Sequence, residues 1–286
     1  MPRRRTFTRG LAVAAAAATV FALSACGATS GAETSAESTS GTGAGYVTEG
    51  KLTIATGDPA YFPWVIGEPE SGEGFESAVA YAVADKLGFT NSDVVWVSST
   101  FDQAIAPGPK DFDFNLQQFS ITPERAAAVD FSSPYYETTQ VVITTDASAA
   151  ASATSIADLK GLLVGAQTGT TSFTDAEKLI APTAGVQVFN TNDDAKLALQ
   201  SGAVDAIVVD LPTAFYLTGV ELDGGTIIGQ LPESGAGGDK FGLVLAKDSS
   251  LTPAVTAAVD ALRADGTLDE LAATWLAGNA DAPVLK

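Results

Sequence analysis

The chain has 286 residues, 46% of them hydrophobic and 17% charged, a globular composition with length for one or two domains. Lys and Arg number 15 against 34 Asp and Glu, and four of the cations (Arg3, Arg4, Arg5 and Arg9) stand at the extreme N-terminus. So acidic a chain argues against nucleic acid and against an anionic membrane surface as partners. There is no histidine and a single cysteine, Cys26, which excludes Ser-His-Asp and Cys-His catalysis, removes the commonest zinc ligand and leaves no intramolecular disulfide. No metal or cofactor is expected.

Residues 1–26, MPRRRTFTRGLAVAAAAATVFALSAC, have a basic start, an apolar run from Leu11 to Leu23 and then small residues. This is a secretory signal; the run is too short and alanine-rich for a stable membrane span. LSAC resembles the lipobox of bacterial lipoproteins, which implies lipidation of Cys26, export, and a tether to the outer face of the cytoplasmic membrane. RRTFTR also resembles a twin-arginine signal, so the export route stays open between that and the general one. Residues 27–46 form a flexible tether, with no large apolar residue before Tyr46. Their GTGAG is not a nucleotide-binding turn, because no strand precedes it.

From Tyr46 onward strands alternate with helices. KLTIAT reads as a strand, FESAVAYAVADKLG as an amphipathic helix closed by Gly88, and VVWV, FDFNL and VVITT as strands. An alanine- and serine-rich connection at 147–155 leads to a second set. Its strands are LLVGA, VQVF and DAIVVD, and its helices lie near 171–180, 192–201 and 212–218. The glycine-rich stretch at 232–242 is a hinge or a plain loop. KFGLVLA is a further strand, and helices near 253–264 and 267–277 flank Gly266. The alternation predicts an α/β fold with mostly parallel sheets.

Beyond the signal only Arg125 and Arg263 remain as arginines. Arg263 sits near a helix C-terminus, where the dipole favours a cation. Arg125, in SITPERAAAVDFSSPYY, sits in the first turn of a helix that Thr122 and Pro123 begin, the unfavourable end. A guanidinium there makes sense beside a bound anion; the plain alternative is a surface arginine paired with Glu124 or Asp130. In VGAQTGTTSF, Thr170 and Thr171 open another helix and offer hydroxyls to a carboxylate, or simply cap it. The lysine of a P-loop is missing. Asp210 ends a buried strand, where it faces a ligand crevice and could take an ammonium group, or caps the next helix. GDPAYFPW sets Tyr61, Phe62 and Trp64 on a stiff loop, with at least one of them expected in the core, and Phe101 is a further wall candidate.

Six blocks in one order carry a resemblance from about Lys51 to Leu276: GDPAYFPW, GFESAVAYAVADKLG, SITPERAAAVDFSSPYY, VGAQTGTT, DAIVVDLPTA and LRADGTLDELAATWL. The chain resembles the family 3 solute-binding proteins of ABC transporters, the polar amino-acid receptors. The resemblance implies a two-lobed, type II periplasmic-binding-protein-like fold with two parallel-rich sheets and two hinge crossings. Lobe 1 would hold 47–138 and 240–286, and lobe 2 would hold 139–239, with the ligand between them. It implies that Arg125 holds an α-carboxylate beside Ser120, with Thr170 and Thr171 contributing from lobe 2. Asp210 would hold the α-ammonium, and Asp58, Tyr61 and Phe101 would line the side-chain pocket. Gln117 and Gln118 replace the family's small residues and could narrow the pocket or bond the ligand.

The implied function is a monomeric lipoprotein receptor that delivers a polar amino acid, with a basic one favoured, to an ABC permease. Two alternatives stand beside it. One is a tethered sensor that binds the same ligand. The other is a dehydratase-like enzyme, for which Asp210 or Glu76 would be the general acid.

Overall fold

LTIAT forms β1 (Leu52–Thr56), buried along its whole length, the pattern of a central strand covered on both faces. The computed structural model describes residues 45–232, 238–276 and 282–286. The expected signal, Cys26 and nearly all of the tether lie outside these residues, as does the middle of the 232–242 stretch. β1 pairs in parallel with β2 (Val94–Ser98) and β3 (Phe114–Asn115). Between β1 and β2 runs α1 (Phe75–Lys86), which buries Phe75, Val79, Ala80 and Val83 at helical spacing. Gly88, at φ +87°, turns the chain after it. The short α2 (Phe101–Ile105) follows β2 with Thr100 as its cap. After β3 comes α3 (Pro123–Ala128), capped by Thr122 with proline at its start. β4 (Asp130–Phe131) closes this part.

β5 (Tyr136–Thr138) leads across to β6 (Gln140–Thr145), which begins the second sheet. The helices of this half are α4 (Ile156–Leu159), α5 (Thr171–Asp175), α6 (Asn192–Gln200) and α7 (Leu211–Tyr216). α5 and α7 each continue into a π turn, Ala176–Ile180 and Leu217–Glu221. With β7 (Val164–Gln167), β8 (Gln187–Phe189), β9 (Ala206–Asp210) and β10 (Gly225–Gln230), the sheet order is β10-β6-β9-β7-β8. Its two faces are sorted by the pleat. Val141, Ile143, Ile207 and Val209 enter one core cluster, while Val142, Ala206 and Val208 enter the other.

β11 (Asp239–Phe241) returns antiparallel beside β5, and β12 (Val244–Leu245) inserts between β3 and β4. The single strand expected over KFGLVLA is therefore two. Gly242 is the break: its N–H bonds to Phe119, and a Cβ there would lie 2.9 Å from Ile121. The sheets are mixed rather than mostly parallel. β1 to β3 and β7 to β9 keep the parallel pairings that helical crossovers produce, whereas β6, β10 and β12 pair antiparallel. α8 (Thr252–Ala264) and α9 (Thr267–Trp275) join at Gly266 and pack on α1.

The end of the chain departs from the expected division, which placed all of 240–286 with the first sheet. Residues 282–286 lie on the second. Val284 bridges Gln230, the Leu285 N–H bonds to the Gln230 carbonyl (2.8 Å), and Leu285 is buried with Val142 and Leu159. β10 is an edge strand whose backbone needs a partner, and Leu285 needs apolar cover.

Candidate functional site

Arg125 is 9% exposed despite its place in the first turn of α3. Its Nη1 donates to the Ser120 carbonyl (2.6 Å) and its Nη2 to the Gly169 carbonyl (2.8 Å). Its guanidinium lies over the Phe101 ring, 5.2 Å from the centroid. Asp130 pairs instead with Lys247 (3.2 Å), so Arg125 is not the surface ion pair its sequence neighbours allowed. Burial lowers its pKa, with Asp239 and then Asp210 opposing that shift.

Arg125 lines a small chamber whose walls come from both sheets. Tyr61, Phe101, Gln117, Gln118 and Ser120 approach from the first side; Gln167, Thr170, Thr171, Ser172 and Asp210 from the second. Its free volume is about 20 Å³, room for one water. It adjoins an outer cavity of about 280 Å³ that shares Tyr61, Phe101, Gln117 and Gln167 and adds Asp58 and Asp102. The candidate residues Asp58, Tyr61, Phe101, Gln118, Ser120, Arg125, Thr170, Thr171 and Asp210 thus all line one chamber or the other.

They are not equivalent. The Thr170 hydroxyl accepts from the Phe173 N–H (3.1 Å) and donates to the Gln167 carbonyl (2.7 Å); it is spent as the cap of α5. Thr171 Oγ1 is 3.1 Å from Ser120 Oγ, across the divide between the sheets. Asp210 makes no capping bond to α7. Its Oδ1 accepts from Gln140 Nε2 (2.7 Å), and burial, aided by Asp239, pushes its pKa up to about 8. Phe101 stacks on Phe119 with centroids 4.7 Å apart, so it is core and wall at once. Trp64 is wholly buried, and its Nε1 donates to Thr213 Oγ1 (2.9 Å). Phe62 is 39% exposed and stacks on Tyr216.

Behind the chamber Glu76 is 1% exposed. Its carboxylate accepts from the Gln118 N–H (2.8 Å), from Gln118 Nε2 and from the Tyr135 hydroxyl. These bonds secure Gln118 at φ +50°, a conformation few residues adopt without support. Burial outweighs them and raises the Glu76 pKa to about 7. The side-chain nitrogen of Gln118 is therefore committed to Glu76 rather than to the chamber.

Two residues not singled out from sequence tie the polar groups of the site together without lining either cavity. Gln140 Nε2 donates to Asp210 and to Asp239 (both 2.7 Å), while its Oε1 accepts from Ser172 (2.6 Å). Asp239 also takes the hydroxyls of Ser120 (3.1 Å) and Thr171. Both begin strands next to the crossings, where a single polar residue carries no motif.

Two mixed sheets joined by paired crossing strands, with a polar chamber between them, define a type II periplasmic-binding-protein fold. The profile of the bacterial extracellular solute-binding proteins, family 3, matches residues 52–278. The chain belongs to that family. It is 30% identical over 222 residues to an L-arginine-binding protein of Pseudomonas aeruginosa, covering 75% of this chain and 83% of that one. An ancestral arginine-binding protein solved with arginine is similar at 33% identity and a TM-score of 0.67, over 80% of this chain and 99% of that one. An ancestral amino acid-binding protein described as a precursor of cyclohexadienyl dehydratase is similar at 28% identity and a TM-score of 0.65, over 80% and 96%.

Proposed function

We propose that this protein is an exported amino-acid receptor of an ABC importer and that it takes a cationic amino acid between two lobes. The observation that carries the reading is the presence, on the walls of one chamber, of buried Arg125 and Asp210. One guanidinium faces a carboxylate and one carboxyl faces an ammonium, which is the charge pattern of an α-amino acid. The Ser120 and Thr171 hydroxyls assist at the carboxylate. The side chain runs between Tyr61 and Phe101 toward Asp58 in the outer cavity. The arginine-binding relatives support a cationic side chain there. The moving bodies are 47–138 with 240–276, and 139–239 with the last five residues. Cys26 carries the lipid anchor, the receptor is a monomer, and the partner is a permease.

The protein is read as a receptor rather than an enzyme. A general acid must touch its substrate. Glu76 is held behind Gln118, and Asp210 is engaged by Gln140 at the proposed ammonium seat. A thermal-shift screen against the common amino acids tests the reading: a ligand at 100 times its Kd adds about 2.7 kcal/mol. Silence across the panel, or turnover of a prephenate-like acid, would sink it. Arg125→Ala removes one partner of a desolvated pair, which costs about 3–5 kcal/mol. Calorimetry should then record an affinity loss of about a hundredfold to several thousandfold.

A further inference from the structure

Asp239 is half-buried at the start of β11, one of the two crossing strands. Its Oδ2 collects the Ser120 hydroxyl (3.1 Å), the Gln140 amide (2.7 Å) and the Thr171 hydroxyl. Two of these three donors are the hydroxyls that the proposed function gives to the ligand carboxylate. Arg125, the third member of that seat, is bonded to backbone carbonyls. Among the charges that sustain it, Asp239 ranks first. A serine or threonine hydroxyl has one hydrogen to donate. Two carboxylates cannot both take these, and two like charges drawn to the same donors repel.

We propose that Asp239 is an internal occupant of the carboxylate seat and that the incoming amino acid displaces it. The proposal rests on the reading of Ser120, Arg125 and Thr171 as the seat of an α-carboxylate. Displacement takes place at a crossing strand. Lys240 and Phe241 pair with Glu137 and Tyr136, and Gly238 passes so close to the Thr138 carbonyl that a Cβ would lie 2.1 Å from it. The seat's occupant and the hinge are therefore neighbours in the chain, and moving the Asp239 side chain alters the strand about which the lobes turn. The cost falls on every ligand that brings a carboxylate and on none that lacks one. An amine without that group leaves Asp239 where it is and gains from its charge.

The test is calorimetric titration of the wild type, Asp239→Ala and Asp239→Asn. Two probes are used: the best-binding common amino acid and its decarboxylated amine, which for L-arginine is agmatine. Both variants should bind the amino acid about tenfold more tightly or better, the scale of one charge-assisted hydrogen bond set free. Neither should bind the amine more tightly than wild type does. If Asp239→Ala does not fold, the nearly isosteric Asp239→Asn gives the same comparison. Unchanged or weaker amino-acid binding in the variants, with wild type binding well, overturns this proposal alone. An equal gain for both probes also overturns it, because the seat would not then be involved. Failure of the wild type to bind any amino acid overturns the underlying function and this proposal with it.

Discussion

At the scale of the residue the site is a contest between burial and charge. Asp210 sits where burial and Asp239 hold its carboxyl protonated up to about pH 8. An arriving ammonium reverses that balance, so binding below pH 8 must expel a proton. Affinity should rise with pH, by up to about tenfold per unit, and level off above 8. Titrations in buffers of different ionisation heat should detect the released proton, and Asp210→Asn should abolish the slope. For folding alone the sign is opposite: the folded pKa exceeds the ordinary 3.8, so this group's contribution is full below about pH 4 and is lost as pH climbs through 8. Arg125 and Asp210 were legible in the sequence because each breaks a local rule, a cation in a first turn and an acid ending an apolar strand. Asp239 and Gln140 break none. Gln140 lies 70 residues from Asp210 and 99 from Asp239, and nothing short of the fold says that they meet.

At the scale of the element, legibility follows apolar content, which marks even the short β3 and β8. β1 and β9 declare themselves as unbroken apolar runs and α8 by its helical period, while α1 shows little amphipathic period and is marked by its length and alanine content. The short strands β4 and β5 do not stand out in the sequence, and β11 and β12 read there as one, since their pairing is set by partners far along the chain. α1 also begins in a way that propensity does not suggest. Its cap is Gly74, without a side-chain acceptor. The carbonyls of Pro63 and Trp64 receive the N–H groups of Phe75 (3.0 Å) and Glu76 (2.8 Å) instead. That approach is possible because Gly74 lies at φ +94° and has no Cβ; one added there would sit 2.6 Å from the Trp64 carbonyl oxygen. Gly74→Ala should therefore lower stability by about 2–4 kcal/mol, read from the urea midpoint. A loss under about 0.5 kcal/mol would show that the loop gives way freely.

At the scale of the whole molecule, the aromatic loop makes two of the contacts between the two sheet systems. The Trp64 indole bonds to Thr213 on α7, and Phe62 stacks on Tyr216 with centroids 4.3 Å apart. If ligand draws the lobes together, the surroundings of Trp64 change. Adding the amino acid should shift tryptophan emission in wild type and not in Trp64→Phe. Thr213→Val, which removes one neutral hydrogen bond, should weaken binding about fivefold, mainly through faster release. An unaltered affinity would mean that this bond does not depend on closure. The return of residues 282–286 to the second sheet bears on how the protein is made. The first core needs Leu243, Leu245, Val259 and Leu262, all beyond the second sheet in the chain, and one of the second sheet's two cores needs Leu285. During synthesis the face of the second sheet that packs on Ala195, Leu199 and Leu217 can fill from its own stretch of chain, whereas the first core waits for α8 and α9 and the opposite face waits for Leu285.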